Sequence, residues 1–174
     1  MNGAMKAPRR KARPRAGLWR RLSAWLRRLV APTPKLRVVL DTNVLVSGLL
    51  DNDEPPAQIL RQIYAGRWTW VVSPATRREV ELVLTKNDLR GLGAIGDAAK
   101  QRLRAALRET AVATANRPLP RQVSAHESDD KFIAAALAGR ADFLISDDRH
   151  LLRVKRWRGV KIISSARFWL RFGG

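Results

Sequence analysis

The chain contains no cysteine and only two histidines, His126 and His150. The first absence excludes disulfides, a thiolate nucleophile, an iron–sulfur cluster and any cysteine-based zinc site; two histidines are too few for a multi-histidine metal site. Long apolar runs are missing too, since none approaches the roughly 18–20 residues that cross a bilayer. Residues 1–35 begin basic but never supply the apolar stretch that a secretory signal requires. These absences lead us to expect a cytoplasmic protein. Acids are scarce, with 15 Asp and Glu against 34 Lys and Arg, a net charge of +19 in 174 residues. So large an excess points to an anionic partner. It does not mark disorder, because 45% hydrophobic and 28% charged residues are the composition of a packed domain.

The charge is unevenly placed. Residues 1–35 hold 11 basic side chains and no acid, which leaves 23 basic and all 15 acidic ones, a net of +8, for residues 36–174. We therefore read a basic N-terminal extension, 1–35, followed by a folded domain, 36–174. Within the extension, Leu18, Leu22, Trp25, Leu26 and Leu29 recur at helical spacing over residues 18–30, with Arg20, Arg21, Arg27 and Arg28 largely off that stripe. Pro32 and Pro34 end the segment. A helix covering an apolar patch of this domain or of a partner, a helix on an anionic membrane surface or on nucleic acid, and an unordered extension all accord with this pattern.

Beyond residue 35 strands and helices alternate. Leu36–Leu40 is almost wholly apolar, as suits a parallel strand buried on both faces. A helix is expected over Pro56–Ala65, a strand over Trp68–Val72, and a helix from Ser73–Pro74, an N-cap followed by proline at the first helical position, to about Leu84. A polar loop at Asn87–Gly96 precedes a helix over Asp97–Glu109. A strand at Ala111–Ala115, a helix from Asp129 to Leu137, strands at Asp142–Ile145 and Val160–Ile163, and a short helix at Ala166–Arg171 complete the reading. The order predicts a three-layer α/β/α domain with a mainly parallel central sheet, whose site lies beyond the carboxyl ends of the strands.

The acids fall at that edge. Asp41 follows the first strand, Asp147 and Asp148 follow the Asp142–Ile145 strand, Asp129 and Asp130 stand at a helix start, and Glu79 lies in the first turns of the helix after Val72. Converging carboxylates raise one another's pKa unless a cation balances them. Oxygen ligands without cysteine suit Mg²⁺ or Mn²⁺, ions able to promote hydrolysis of a phosphodiester. A simpler account competes for several positions: acids favour the first turn of any helix, which covers Glu79, Asp129 and Asp130, and Asp147–Asp148 could form only a turn. Asp41 resists that account, because the exit of a buried strand is a costly place for a charge.

The string VVLDTNVLVSGLL, residues 38–50, resembles the opening motif of PIN-domain nucleases, and in particular the branch of toxin components of toxin–antitoxin systems. Residues 73–84 resemble that family's second block, and residues 128–152 are similar to its third and fourth blocks run together. The resemblance covers about residues 36–170. It implies metal ligation and catalysis by Asp41, Glu79, Asp129 and Asp148, with Asp130 as an additional ligand and Asn43 and Ser146 as supports. Asp147 stands where the family usually has glycine. The resemblance further implies a Mg²⁺- or Mn²⁺-dependent endoribonuclease that leaves 5′-phosphate and 3′-hydroxyl ends, an antitoxin partner and a homodimer.

RNA contacts are expected from exposed basic residues, with Arg61, Arg67, Arg77, Arg78, Arg149, Arg153, Lys155, Arg156 and Arg158 as candidates. In the run 153–158, Trp157 is placed either to stack on unpaired bases or to anchor the segment to the core. Two other functions remain open at this level: an RNA-binding module with a structural metal site, and an aspartate-dependent phosphatase or receiver-like protein with Asp41 as phosphoryl acceptor and Lys131 or Lys155 beside it.

Overall fold

The computed structural model of the chain describes residues 34–50, 53–85 and 95–174. The amphipathic stretch 18–30, the rest of the basic segment through residue 33, and residues 87–94 of the expected polar loop lie outside the described residues.

Six strands form one sheet: β1 (Arg37–Leu40), β2 (Thr69–Val72), β3 (Val112–Ala113), β4 (Phe143–Ile145), β5 (Arg156–Trp157) and β6 (Val160–Ile163), in the order β3-β2-β1-β4-β6-β5. All neighbours are parallel except β5 and β6. The apolar strands are buried on both faces and their side chains alternate between two cores. Val38, Leu40, Trp70, Val72, Phe143 and Ile145 face one core, whereas Val39, Val71 and Leu144 face the other.

Helices cover both faces, giving the expected three layers. Helices α1 (Thr42–Leu50), α2 (Pro55–Tyr64), α3 (Pro74–Thr85), α4 (Asp97–Glu109) and α7 (Ser165–Phe172) pack on the first core through residues such as Leu45, Ile63, Val80, Leu107 and Phe168. Helices α5 (Asp130–Ala138) and α6 (Arg149–Val154) close the second core with Phe132, Ile133 and Leu151. Ser73 caps α3 as its sequence promised, its hydroxyl accepting from the Thr76 amide at 3.2 Å. Gly48 lets α1 cross close to α2: a Cβ there would meet the Leu60 side chain at 2.8 Å and the Pro56 backbone at 2.9 Å.

Three local expectations are corrected. Residues 42–50, to which no element was assigned, form α1; the run is so uniformly apolar, with Val44, Val46 and Gly48 inside it, that helical periodicity is masked. The basic run 153–158, also left without an element, forms the end of α6 and strand β5, turned back onto β6 at Arg158 and Gly159, both with positive φ. That two-residue turn normally announces itself as Asn-Gly or Asp-Gly. The strand expected over Ala111–Ala115 shortens to Val112–Ala113 at the sheet edge.

Candidate active site

Strand order reverses at β1, whose two neighbours β2 and β4 are reached by crossovers in opposite directions. A crevice at the carboxyl ends of the strands is the natural binding place in such a sheet. Asp41 stands there as the first residue after β1. Its amide donates to the Ile145 carbonyl at 3.0 Å, so the ends of β1 and β4 are tied together. Its carbonyl accepts from the Leu45 amide at 3.2 Å and begins α1. The side chain is buried, with 4% of its surface exposed.

Ser146, wholly buried just past β4, donates its hydroxyl to Oδ2 of Asp41 at 2.6 Å and accepts from the Asp148 amide at 3.0 Å. The accepted bond fixes the hydroxyl so that its proton faces Asp41. Asp148 caps α6, its Oδ1 accepting from the His150 amide at 2.6 Å. Asn43 reaches Asp41 through its backbone amide, 3.5 Å from Oδ1, while its own side chain is on an exposed residue. Burial pushes the Asp41 carboxyl from 3.8 up to about 6; the bonds from Ser146 and Asn43 pull it back, and the charges of Asp129 and Glu79 push it further up.

The adjacent acids at the start of α5 have different surroundings. Asp129 ends a short 3₁₀ turn, Glu127–Asp129, and is the one whose charge acts on Asp41. Asp130 is buried and turned to the preceding loop, its two carboxylate oxygens accepting from the Val123 and Ser124 amides at 2.8 and 2.7 Å. Asp130 thus anchors a loop. Asp147 likewise leaves the group: its carboxylate accepts from the amide and hydroxyl of Ser165 at 2.9 and 2.6 Å and fixes the start of α7. This bond gives the acid found in place of the family's usual glycine a structural occupation. Glu79, half-buried on α3, is ion-paired with Lys131 of α5, a pairing between distant elements that no sequence spacing disclosed.

Among the described residues no three acids stand close enough to hold an ion as they are arranged, and Glu79 points to its lysine. The donor set nevertheless fits a hard divalent cation. Asp41 is a buried carboxylate whose charge is opposed by desolvation and by two neighbouring acids, a state that a cation among oxygen ligands relieves.

The expected RNA contacts divide by environment. Arg78, Arg149, Arg153, Lys155, Arg156 and Arg158 are exposed. Arg77 instead donates to the Leu107 carbonyl of α4, and Arg67 donates to the carbonyls of Gly173 and Gly174 at 3.2 and 2.8 Å. Trp157 is half-buried against the second core, with the Arg121 guanidinium 5.2 Å and that of Arg158 6.0 Å from its ring. Its anchoring reading is the one this packing matches. His126 and His150, the two histidines of the chain, meet edge to face at 4.4 Å.

A profile of the PIN domain matches residues 37–150. The fold is similar to the crystal structure of PAE2754 from Pyrobaculum aerophilum, with a TM-score of 0.51, 18% identity, and coverage of 79% of this chain and 90% of that one. A second similar structure is VapBC2 from Rickettsia felis bound to a DNA fragment from their promoter, with a TM-score of 0.48, 12% identity, and coverage of 74% and 98%. At 18% identity the first likeness speaks to fold alone. No curated protein sequence gave a significant match. With well over half of its length matched by the family's profile and the α/β/α sheet in place, the chain belongs to the PIN domain family.

Proposed function

We propose that the chain is a Mg²⁺- or Mn²⁺-dependent endoribonuclease, the toxin of a toxin–antitoxin pair, acting in the cytoplasm as a homodimer. PIN domains are nucleases as a rule, and the proposal extends to the metal, the RNA substrate and the pairing with an antitoxin. It rests on one observation: Asp41, buried at the switch point of the sheet and held by Ser146, carries a charge that Asp129 and Glu79 oppose.

Asp41, Glu79, Asp129 and Asp148 would hold the ion. When bound, such an ion supplies a water of lowered pKa and stabilises charge developing on phosphoryl oxygens. Ser146 orients the Asp41 carboxylate, and the Asp148 amide orients Ser146. Exposed Arg78, Arg149, Arg153, Lys155, Arg156 and Arg158 would meet RNA phosphates through charge rather than sequence. The boundary near residue 35, with the basic extension outside the nuclease domain, belongs to the same reading. No helix among the described residues is long and apolar enough to cross a membrane.

The test is cleavage of structured and unstructured RNA with Mg²⁺ or Mn²⁺ by the wild type, Asp41→Asn and Asp148→Asn. Ion-dependent cutting, abolished by chelator and by either substitution, is expected. RNA binding without cutting in all three proteins would favour a binding module instead.

A further inference from the structure

Two pockets of about 400 and 500 Å³, one lined by Asp130 and the other by Glu79, share Ala75, Asn116 and Lys131 as walls, so they form one groove with Lys131 at the join. Arg78 and Glu79 line one end, and Arg117, Arg121 and Gln122 the other. The groove continues the basic track, since Arg121 at its far end lies over Trp157 in β5. None of Asn116, Arg117, Arg121 or Gln122 stood out in the sequence, yet all four are exposed.

Lys131 governs the middle of this groove. Its ammonium is paired with Glu79 and lies 5.2 Å from the Phe132 ring, and both partners of the pair are partly exposed, at 27% and 29%. An ammonium and a divalent cation cannot share one carboxylate without repelling each other. The other acids within reach offer Lys131 little: Asp130 is committed to two backbone amides, and Glu127 is exposed to water, where an ion pair adds little.

We propose that Lys131 is an exchangeable counter-charge, which holds Glu79 while no ion is bound and passes to a phosphate of a single RNA strand lying in this groove when an ion claims Glu79. The inference rests on the metal-dependent ribonuclease reading above. Its consequence is reciprocal: ion and RNA strengthen each other's binding through this side chain. Lys131 is here a positioning residue that turns ion loading into a grip on the substrate.

The full-length wild type, Lys131→Met and Lys131→Arg carry the test, with thermal melting to show that each is folded. Mn²⁺ affinity is measured by calorimetry without RNA. Affinity for a short single-stranded RNA is measured by fluorescence anisotropy with and without Ca²⁺, the oligonucleotide being recovered intact. Lys131→Met should bind Mn²⁺ about tenfold more tightly, since a competing positive charge is gone. The gain in its RNA affinity from the ion should shrink by about fivefold, with Lys131→Arg retaining the wild-type gain. A Lys131→Met protein that binds Mn²⁺ no better than wild type, or keeps the full gain, overturns the inference, because a merely structural ion pair predicts that result. If the wild type binds Mn²⁺ and cuts RNA while Lys131→Met behaves identically, the inference alone fails. If the wild type neither binds Mn²⁺ nor cuts RNA, the ribonuclease reading fails and takes the inference with it.

Discussion

Ser146 and Asp41, 105 positions apart in sequence, are joined by a 2.6 Å hydrogen bond that spans the ends of the two central strands. The same serine hydroxyl takes the Asp148 amide. One wholly buried oxygen therefore sets the geometry between the first and last acids of the group. Ser146→Ala should cost about 1–3 kcal/mol in chemical denaturation, because it strips a buried carboxylate of its donor and a half-buried amide of its acceptor. It should also raise the Asp41 pKa further, moving the acid limb of the cleavage profile to higher pH.

Asp41 predicts a pH dependence opposite to that of an ordinary ion-paired aspartate. Its folded-state pKa is raised, from 3.8 to about 6, so folding favours the protonated form. The stability it contributes is complete below about pH 4 and is lost as pH rises through about 6, a difference of about 3 kcal/mol in ion-free protein. Asp41→Asn should remove that loss. In urea denaturation with chelator the variant should be more stable than wild type at pH 7.5 and no more stable at pH 4. Mn²⁺ should stabilise the wild type against unfolding at pH 7.5 and leave Asp41→Asn unmoved.

The neighbours Asp129 and Asp130 should fail in different ways. Asp129→Asn should weaken Mn²⁺ binding with little loss of stability, because its charge acts on Asp41. Asp130→Ala should cost about 2 kcal/mol of stability by leaving the Val123 and Ser124 amides unpaired. Calorimetric ion titration and denaturation of both variants separate the two roles. Equal loss of ion affinity in both would return Asp130 to the ligand set.

The run 153–158 should serve RNA by charge and the fold by its tryptophan. Arg156→Ala and Arg158→Ala remove exposed cations, and each should lower the slope of log affinity against log salt by about one. Trp157→Phe, which keeps most of the packing against the second core, should leave RNA affinity near wild type. A marked loss there would instead give the ring a role in base stacking.

Much of this was legible in the sequence because local rules agreed with the fold. Val160–Ile163 and Asp97–Glu109 occur over the very residues that patterning assigned to them, and Ser73–Pro74 starts α3 as capping chemistry requires. What escaped depended on long-range contacts or on missing local signals. Helix α1 leaves only Asn43 and Ser47 exposed in an otherwise apolar run, too short a polar stripe to mark a helix, and the β5–β6 turn uses Arg158 where asparagine is usual. Spacing brought Asp41, Asp148 and the Asp129–Asp130 pair to one edge of the sheet, but could not tell which of the last two faces the loop. Nor could it reveal that Glu79 meets Lys131, or that Asp147 turns to Ser165, because those pairs form only when separate elements pack.

The most direct measurement is anomalous diffraction from crystals of the protein grown with Mn²⁺. Manganese peaks bounded by the carboxylates of Asp41 and Asp129, with Asp148 alongside and Glu79 drawn off Lys131, are the predicted result. A map with no peak at that edge of the sheet, and with Glu79 still paired to Lys131 at saturating Mn²⁺, would contradict it.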